Sequence, residues 1–458
     1  MKPRIVLSMI VRNAAPDLPR CLGSVRAVVD EMVLADTGSS DDTVNVARSL
    51  GARVIGIPWE NDFAKARNFA LAEVWRSADA SPGSGWILVL DADEMLDATA
   101  ETFLDLCLRD TEVAGFAVPI RNYLRTRNEL LWDRAPSEND CVLPESREFP
   151  VFVTHENIRL FRSDPDIHFS GCIHESVGPR ILETGRTIGS CGLVIHHFGL
   201  AGDRSHRAAK NKLYLELGRQ KVREMPRDAQ AHFELGLVEF NEFHDYAAAL
   251  DCFARSSELD PRCTVAWLFR ALALVRLGRF SEAIAALSRA ERLGYSGSLL
   301  LETRGDALYN SGKFADSCRA YECGLRKSPG HAGLESKLGL AQLRAGNSGA
   351  GIALLSSAVA RQSDLPELHD RLVQAHVWLG QIVKAAEAAG RKLEQCSQVD
   401  PADFVRAAGI HVQLGDWKPA MAILSAGIGR FPNDVKLRQV SAEVESLHHE
   451  ALARLSTR

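Results

Sequence analysis

Two hydrophobic patterns divide the chain near residue 202. In the first part, short apolar runs alternate with segments of helical periodicity. The apolar runs predict strands at 5–11, 31–36, 52–59 and 86–94, and the periodic segments predict helices at 18–29, 41–51 and 63–75. After Glu94 we expect a helix, followed by β-like runs at 115–124, 156–162, 167–177 and 192–199. This order predicts an α/β domain with a mostly parallel sheet and an antiparallel extension.

The part after about residue 225 repeats a pair of helices. Its loop glycines are spaced by 34 residues, and by 35 at the last step: Gly278, Gly312, Gly346, Gly380 and Gly415. A small residue also recurs in the first helix of a pair: Gly236, Ala271, Gly305, Gly339 and Gly409. The pattern resembles the tetratricopeptide repeat in about six copies, which bury their apolar faces only by stacking. We predict an α/β domain at 1–202, a connecting helix at 203–225 and an all-α repeat domain at 226–458.

Composition and charge argue against several classes of protein. The 458 residues carry a net charge of −5, which implies no general attraction to nucleic acid. Ten cysteines without a CxxC pair give no support to a structural zinc site and suit a reducing compartment. No apolar run is long enough to span a bilayer, and the run at 5–11 is too short for a signal-peptide core. We therefore expect a cytoplasmic protein without a transmembrane segment.

Polar side chains follow three of the predicted strands. Asn13 follows the first strand, Asp36 ends the second, and Asp91 and Asp93 end the fourth. In open α/β sheets the carboxyl ends of the strands form the binding edge. Carboxylate oxygens are the ligands that Mg²⁺ and Mn²⁺ prefer, and such a cation stabilises a diphosphate leaving group. No GxGxxG motif follows the first strand, which disfavours a dinucleotide-binding fold.

Three motifs occur in the order and spacing of one enzyme family. They are DTGSSDDT at 36–43, Ala-Arg-Asn at 66–68 and LDADE at 90–94. Over residues 3–200 the chain resembles family 2 glycosyltransferases of the GT-A fold. The resemblance implies that Asp93 binds a divalent cation, Mn²⁺ or Mg²⁺, that Asp91 holds the ribose or the metal, and that Asp36 contacts the uracil or ribose of a nucleotide sugar.

The resemblance also suggests roles for residues around these motifs. Arg67, supported by Asn68, is expected near the pyrophosphate or as the residue that orders the Asp cluster, and a structural salt bridge is the alternative for Arg67. Asn13 is expected at the nucleotide, although Ala14 occupies the position where many family members have an acidic residue. Simple helix capping is the alternative for the acidic residues at 36–43 and 90–94.

Late residues complete the expected site. GT-A enzymes often supply a histidine to the metal, and His196 is our candidate. Neighbouring residues of a strand face opposite ways, so only one of His196 and His197 points into the site. We assign Glu175 as the general base that removes the acceptor's proton, with Glu94 as a rival and a structural carboxylate as the alternative.

These observations predict a metal-dependent glycosyltransferase. It would transfer a sugar from a UDP-linked donor to a protein, peptide or glycan acceptor, for which the repeats are the candidate binding surface. Inversion at the anomeric carbon is implied by the family. The alternative is a non-catalytic interaction scaffold whose repeats bind partners and whose α/β domain has lost its activity.

Overall fold

The computed structural model describes residues 3–76, 85–97, 112–125, 137–141, 143–199 and 204–456, with only the backbone for 204–210 and 454–456. It forms two compact units, Met1–Asp245 and Tyr246–Arg458. The helix predicted directly after Glu94 is wrong for residues 95–97, which are in a strand, and its remainder lies outside the described residues. Much of the polar segment 125–150 also lies outside them.

The first unit is built on a mixed sheet. Its described strands are β1 (Arg4–Val11), β2 (Glu31–Asp36), β3 (Arg53–Gly56), β4 (Gly85–Val89), β5 (Glu94–Asp97), β6 (Val113–Leu124), β7 (Ser137–Glu138), β8 (Val151–Arg162), β9 (Thr187–Ser190) and β10 (Val194–His197). The order is β3-β2-β1-β4-β8-β6-β10-β5, with β7 beside β8 and β9 beside β6. Strands β3, β2, β1 and β4 are parallel, and β8 is antiparallel to both β4 and β6. This arrangement confirms the predicted α/β fold with its antiparallel extension.

Helices cover both faces of the parallel strands. They are α1 (Leu18–Val25), α2 (Thr43–Ser49), α3 (Phe63–Trp75) and, beyond the antiparallel strands, α4 (Gly178–Glu183). Leu7 and Leu88 pack on one face with Leu22 of α1, whereas Ile87 packs on the other with Leu71 of α3. Burial on both faces explains why β1 and β4 are nearly continuous apolar runs in the sequence.

Two β-like runs end differently from the prediction. The run at 86–94 stops as a strand at Val89, and the chain turns where the Glu94 amide donates to the Asp91 carbonyl at 3.0 Å. Glu94 then begins a separate strand, β5. The run at 167–177 is a loop with a single bridge between Ser170 and Ser176. Gly171 and His174 have positive φ there, which extended pairing does not allow.

The first unit continues beyond the sheet through two helices, α5 (Arg204–Glu224) and α6 (Ala229–Asn241). Helix α5 covers the predicted connecting segment, and the boundaries at 202 and 225 remain predictions. In the described part of the chain, no helix combines the length and the apolar character needed to cross a membrane.

The second unit is a stack of antiparallel helices. Its described helices are α7 (Tyr246–Leu259), α8 (Thr264–Arg276), α9 (Phe280–Arg292), α10 (Ser298–Asn310), α11 (Phe314–Lys327), α12 (Ala332–Arg344), α13 (Ser348–Arg361), α14 (Pro366–Trp378), α15 (Ile382–Gln395), α16 (Pro401–Leu414), α17 (Trp417–Arg430) and α18 (Val435–Ser456). The glycines of the 34-residue period follow the first helix of each pair with φ between +68° and +95°. Glycine adopts this conformation without the steric cost that a Cβ brings.

The small residues of the first helices allow close helix contact. A Cβ at Gly339 of α12 would lie 2.9 Å from the carbonyl oxygen of Gly351 in α13, so larger side chains are excluded there. Gly409 differs from the rest of the predicted set, because it is exposed and has no atom within 4 Å of a Cβ position. Its neighbour Ala408 is fully buried instead.

Candidate active site

The turn after β4 is held by two buried arginines. Arg67 of α3 donates from Nη2 to Asp91 Oδ1 at 2.7 Å, and Arg159 of β8 donates from Nη2 to Asp91 Oδ2 at 3.1 Å. Arg159 also donates to Glu94 Oε1 at 2.6 Å, while Glu94 Oε2 accepts the Asp91 amide at 2.8 Å. Residues from three elements therefore determine the position of the acidic turn.

The same contacts set the charge of the turn. Burial alone raises the pKa of Asp91, but the two guanidinium groups outweigh it and hold that pKa below its usual value. Burial raises the pKa of Glu94 to about 7. The Asp91 side chain nevertheless keeps 41% of its surface exposed, against 3% for Glu94. Each Asp91 oxygen retains a second acceptor direction, so this carboxylate can still contact a ligand.

Asp93 is paired with His197. His197 Nε2 lies 3.3 Å from Asp93 Oδ2. On the other side of the ring, His197 Nδ1 is 2.8 Å from Asn122 Oδ1. Because the Asn122 amide nitrogen donates to the Val153 carbonyl at 3.1 Å, its oxygen faces the ring and Nδ1 carries the proton. Nε2 then faces Asp93: the imidazolium form donates a hydrogen bond to that carboxylate, and the neutral ring has the lone pair of Nε2 available for a cation.

Gly199 lies against this pair. A Cβ at Gly199 would overlap the Asp93 carboxylate and would lie 2.8 Å from His197 Nε2. The Phe198 amide, next along the chain, donates to the Asp93 carbonyl at 3.2 Å. The segment after β10 thus approaches Asp93 so closely that a Cβ at residue 199 would require the carboxylate to move.

His196 faces the other side of β10. Its Nδ1 is 2.8 Å from the Tyr123 hydroxyl, its ring stacks on Tyr123 with the centroids 5.8 Å apart, and it is 1% exposed. Burial lowers the pKa of His196, whereas the pKa of His197 is raised because Asp93 outweighs the opposing effect of burial. The structure therefore brings His197, and not the predicted His196, to Asp93.

Asp36 and Asn13 meet in the loop after β2. Asp36 is 8% exposed and accepts the Gly38 and Ser39 amides at 3.1–3.2 Å. Asn13 donates its amide to Ser39 Oγ at 2.9 Å and accepts the Ser40 amide at 2.7 Å. Adjacent strands are about 4.8 Å apart and β1 separates β2 from β4, so the ends of these two strands are roughly 10 Å apart.

The predicted base and its neighbours belong to a loop at 167–177. Glu175 Oε1 accepts Arg67 Nε at 2.5 Å, which links this loop to Asp91. Asn68 makes two bonds to Phe169, from its Nδ2 to the carbonyl at 2.9 Å and from the Phe169 amide to its Oδ1 at 2.8 Å. Asn68 thus holds the loop in place. Arg67 forms salt bridges with Asp91 and Glu175, which fit a residue that orders the Asp cluster as well as a structural role, and its contact with a phosphate stays a prediction.

Two residues of the site were not predicted. Arg159 lies in the run ENIRLFR, where an arginine flanked by Ile158 and Leu160 within a strand was the available signal. Asn122 lies in GFAVPIRNYL and is 1% exposed, which for an amide means that partners must satisfy it. Neither residue is near the acidic motifs in sequence, so only the pairing of β8 with β4 and of β6 with β10 reveals them.

The residues of this turn fit a divalent cation. Two cis ligands of one ion, each about 2.1 Å from it, are about 3 Å apart, close to the separation of Asp93 Oδ2 and His197 Nε2. Four carboxyl groups and two guanidinium groups surround the turn, a formal charge of −2 when all are ionised. Among the residues that the structure describes, no group of three or more His, Cys, Asp or Glu side chains is arranged to bind a metal. The chain would thus provide two ligands and leave the others to a diphosphate and water.

Two parts of the chain match known protein families. Residues 7–172 match the family model of glycosyl transferase family 2, and residues 242–296 and 303–366 match a tetratricopeptide-repeat model. A TPR repeat-containing protein of Synechococcus elongatus is 34% identical over 239 residues, 51% of each chain. An uncharacterized glycosyltransferase of Rickettsia felis is 28% identical over 178 residues, 37% of this chain and 59% of that protein.

Proteins of lower sequence identity also match parts of the chain. The glycosyltransferase SunS of Bacillus subtilis is 25% identical over 176 residues, 38% of this chain and 34% of SunS. The chain thus spans between about a third and three fifths of the length of these relatives. Among solved structures, the APC/C hetero-tetramer Cut9–Hcn1 has a TM-score of 0.40 at 18% identity, covering 52% of this chain and 46% of that one. That score is low, so the repeat assignment rests on the family model and on the helix pairs themselves.

Proposed function

Since residues 7–172 form a family 2 glycosyltransferase domain and tetratricopeptide repeats follow it, we propose that the protein transfers a sugar from a nucleotide-diphosphate sugar to a protein, peptide or glycan acceptor. The observation that carries this proposal is the pairing of Asp93 with His197 beside Asp91, at the carboxyl end of β4. A helix cap or a structural salt bridge would not need both carboxylates and an oriented imidazole at this strand end.

The donor would lie along the ends of β2, β1 and β4. Asp93 and His197 would hold a divalent cation, Mn²⁺ or Mg²⁺, which supplies the Lewis acid that stabilises the departing diphosphate. Asp91, fixed by two arginines but 41% exposed, accepts a ribose hydroxyl. Asp36 and Asn13, roughly two strand spacings away, face the base and ribose of a uridine-linked donor.

Glu175 is the proposed base for the acceptor. Its side chain is 12% exposed, whereas that of its rival Glu94 is 3% exposed and enclosed by Arg159 and the Asp91 amide. Only a carboxylate that reaches the cleft can remove the proton of an incoming hydroxyl or thiol. Direct attack assisted by Glu175 would invert the anomeric carbon. The repeats supply the surface on which a protein or glycan acceptor binds.

The test measures donor use by the full-length chain. Purified protein is incubated with a panel of nucleotide sugars and Mn²⁺ or EDTA, and release of nucleoside diphosphate is followed. We expect turnover with one uridine-linked donor, loss of it in EDTA, and a fall of about two orders of magnitude or more in Asp93→Ala. A thermal-shift screen with and without Mn²⁺ should show the same nucleotide raising the melting temperature by mass action.

Matched variants separate the cation site from general damage. Asp166→Ala removes an exposed aspartate of the same domain and should leave turnover unchanged. Glu175→Gln should lower kcat while donor binding persists. Absence of turnover and of metal-dependent nucleotide binding, with Asp93→Ala matching the unaltered chain, would instead favour the non-catalytic scaffold.

A further inference from the structure

Helix α5 contacts the loop that carries Glu175 through one face. Tyr214, Leu217 and Lys221 are spaced as i, i+3 and i+7, so they lie along one side of the helix. The Leu217 carbonyl accepts the Cys172 thiol at 3.4 Å, and the Tyr214 ring lies edge-on to His174 with the centroids 6.3 Å apart. This face therefore contacts consecutive residues of the loop.

Lys221 is the polar centre of that contact. It is 6% exposed, and its ammonium donates to the Ile173 carbonyl at 3.0 Å and to Glu234 Oε2 of α6 at 2.8 Å. Gly171 makes room for it, because a Cβ there would lie 3.3 Å from Lys221 Nζ. A buried ammonium needs such partners, since desolvation of an unpaired charge costs several kcal/mol.

The loop conformation depends on this bond. His174, next to the bonded carbonyl, has φ of +50°, a left-handed value that a residue with a Cβ adopts only when its surroundings impose it. The Cys172 carbonyl accepts the Phe63 amide at the start of α3 at 2.9 Å. The turn directs Glu175 back toward α3, where it meets Arg67.

A continuous series of contacts thus joins α6 to the acidic turn. It runs from Glu234 to Lys221, from Lys221 to the loop, from Glu175 to Arg67, and from Arg67 to Asp91. Every contact lies within the first compact unit, which ends at Asp245 and not at the last strand. The helices after the sheet are therefore part of the support of the candidate site.

We propose that Lys221 is a positioning residue for the transfer reaction: by bonding the Ile173 carbonyl it holds the loop in the turn that keeps Glu175 on Arg67 and within reach of the acceptor. The expected effect of Lys221 on turnover rests on the proposed function. Its expected effect on the loop conformation does not.

Four variants of the full-length chain test the role of Lys221. Lys221→Met removes the bond to the loop and leaves Glu234 without its cation. Glu234→Leu leaves the bond to Ile173 intact. The double variant removes both charges, which restores much of the stability because two apolar groups replace a buried pair. Lys392→Met removes a lysine of the second unit that is 5% exposed and is paired with Asp370 and Asp403, as a distant control.

We expect kcat to depend on the conformation of the loop and not on the stability of the chain. It should fall by about ten- to a hundredfold in both variants that lack Lys221, because small displacements of reacting groups have effects of this size. KM for the donor should change by less than about threefold, since the base contacts the acceptor. Glu234→Leu and Lys392→Met should lower the melting temperature and keep kcat. If kcat instead tracks the melting temperature across all four, Lys221 is only structural and the inference is overturned.

Hydrogen exchange provides a readout that does not need activity. The amides of Phe63 and Ser176 are bonded to carbonyls of this loop, at 2.9 Å and 3.1 Å. They should exchange at least about tenfold faster in the two variants without Lys221, and at the original rate in Glu234→Leu and Lys392→Met. If the unaltered chain uses no donor but this pattern appears, the proposed function fails and the positioning role stands. Unchanged exchange in Lys221→Met would refute the positioning role.

Discussion

Gly199→Ala is the sharpest test of the cation site, because it adds one methyl group at the paired ligands. The new Cβ would overlap the Asp93 carboxylate and lie 2.8 Å from His197 Nε2. Gly199 does not have a positive φ, so the substitution changes space and not backbone preference. The Phe198 amide is bonded to the Asp93 carbonyl, which limits movement of the backbone. The least costly relief is rotation of the Asp93 side chain away from His197.

The expected loss of metal affinity follows from the contact that this rotation breaks, the one between Asp93 and His197. Disturbing the orientation of metal ligands typically weakens metal affinity by about 10–100-fold, or about 1.4–2.8 kcal/mol. Because the rotated side chain stays within a half-exposed turn, we expect the melting temperature without metal to change little. Activity at saturating Mn²⁺ should recover in part, since mass action compensates for a weaker site.

The assay is a Mn²⁺ titration of donor turnover, with the melting temperature measured in EDTA. Gly192→Ala is the matched control, because it adds the same methyl group seven positions earlier, where nothing lies within 4 Å of the Cβ. The control should titrate like the unaltered chain. Identical Mn²⁺ curves for Gly199→Ala and Gly192→Ala would refute the assignment of Asp93 and His197 as ligands of one ion.

Three further predictions concern stability. Gly339→Ala should destabilise the chain by about 1–3 kcal/mol through overpacking against α13, whereas Gly409→Ala should stabilise it by up to about 1 kcal/mol through helix propensity alone. Arg159→Met should cost roughly 3 kcal/mol, because it leaves the buried Glu94 carboxylate without its cation and Asp91 with one guanidinium group instead of two. Burial raises the pKa of Glu302, but the ammonium group of Lys337 outweighs burial and holds this pKa below its usual value. The ionised Glu302 therefore stabilises the folded chain at pH values above its pKa in the unfolded chain. This stabilisation is lost as the pH falls through the lower pKa of the folded chain. Glu302→Gln should thus be about 1–2 kcal/mol less stable than the unaltered chain at pH 7, with the gap narrowing toward pH 4.

Urea unfolding of the full-length chain measures all three. The two glycine variants share the helix-propensity gain and differ only in the space around the Cβ, so a common sign for both would contradict the close-contact argument. Equal stability of Arg159→Met and the unaltered chain would contradict the pairing at the turn. A gap for Glu302→Gln that stays constant between pH 7 and pH 4 would mean that Lys337 does not perturb this carboxyl group.

Much of the architecture follows from local sequence. The strands β1, β2 and β4 are nearly continuous apolar runs, and a run of that kind is read without knowledge of its neighbours. The loop glycines at a period of about 34 residues mark the helix pairs from α8–α9 to α16–α17, because each of these pairs meets the same backbone requirement. The placement of Asp36 and Asp91 at one edge of the sheet was predictable for the same reason, since the parallel strands β2 and β4 bring their carboxyl ends to that edge.

Local sequence could not decide which of two neighbouring histidines lies beside Asp93. His196 and His197 are chemically identical neighbours, and alternation along a strand says only that they face opposite ways. The register of β10 against β5 and β6 decides which one meets Asp93, because it places His196 in the aromatic cluster with Tyr123 and His197 beside Asn122.

Most strands and helices, their order and the kinds of side chain at the strand ends could be predicted from sequence, because these depend on periodicity and on residue chemistry within a few positions. Which charges meet depends on the fold. Arg159 reaches Asp91 from 68 residues away and Glu175 reaches Arg67 from 108, through strand pairing and a loop held by a later helix. Contacts at such separations depend on the packing of whole elements, which no local pattern encodes.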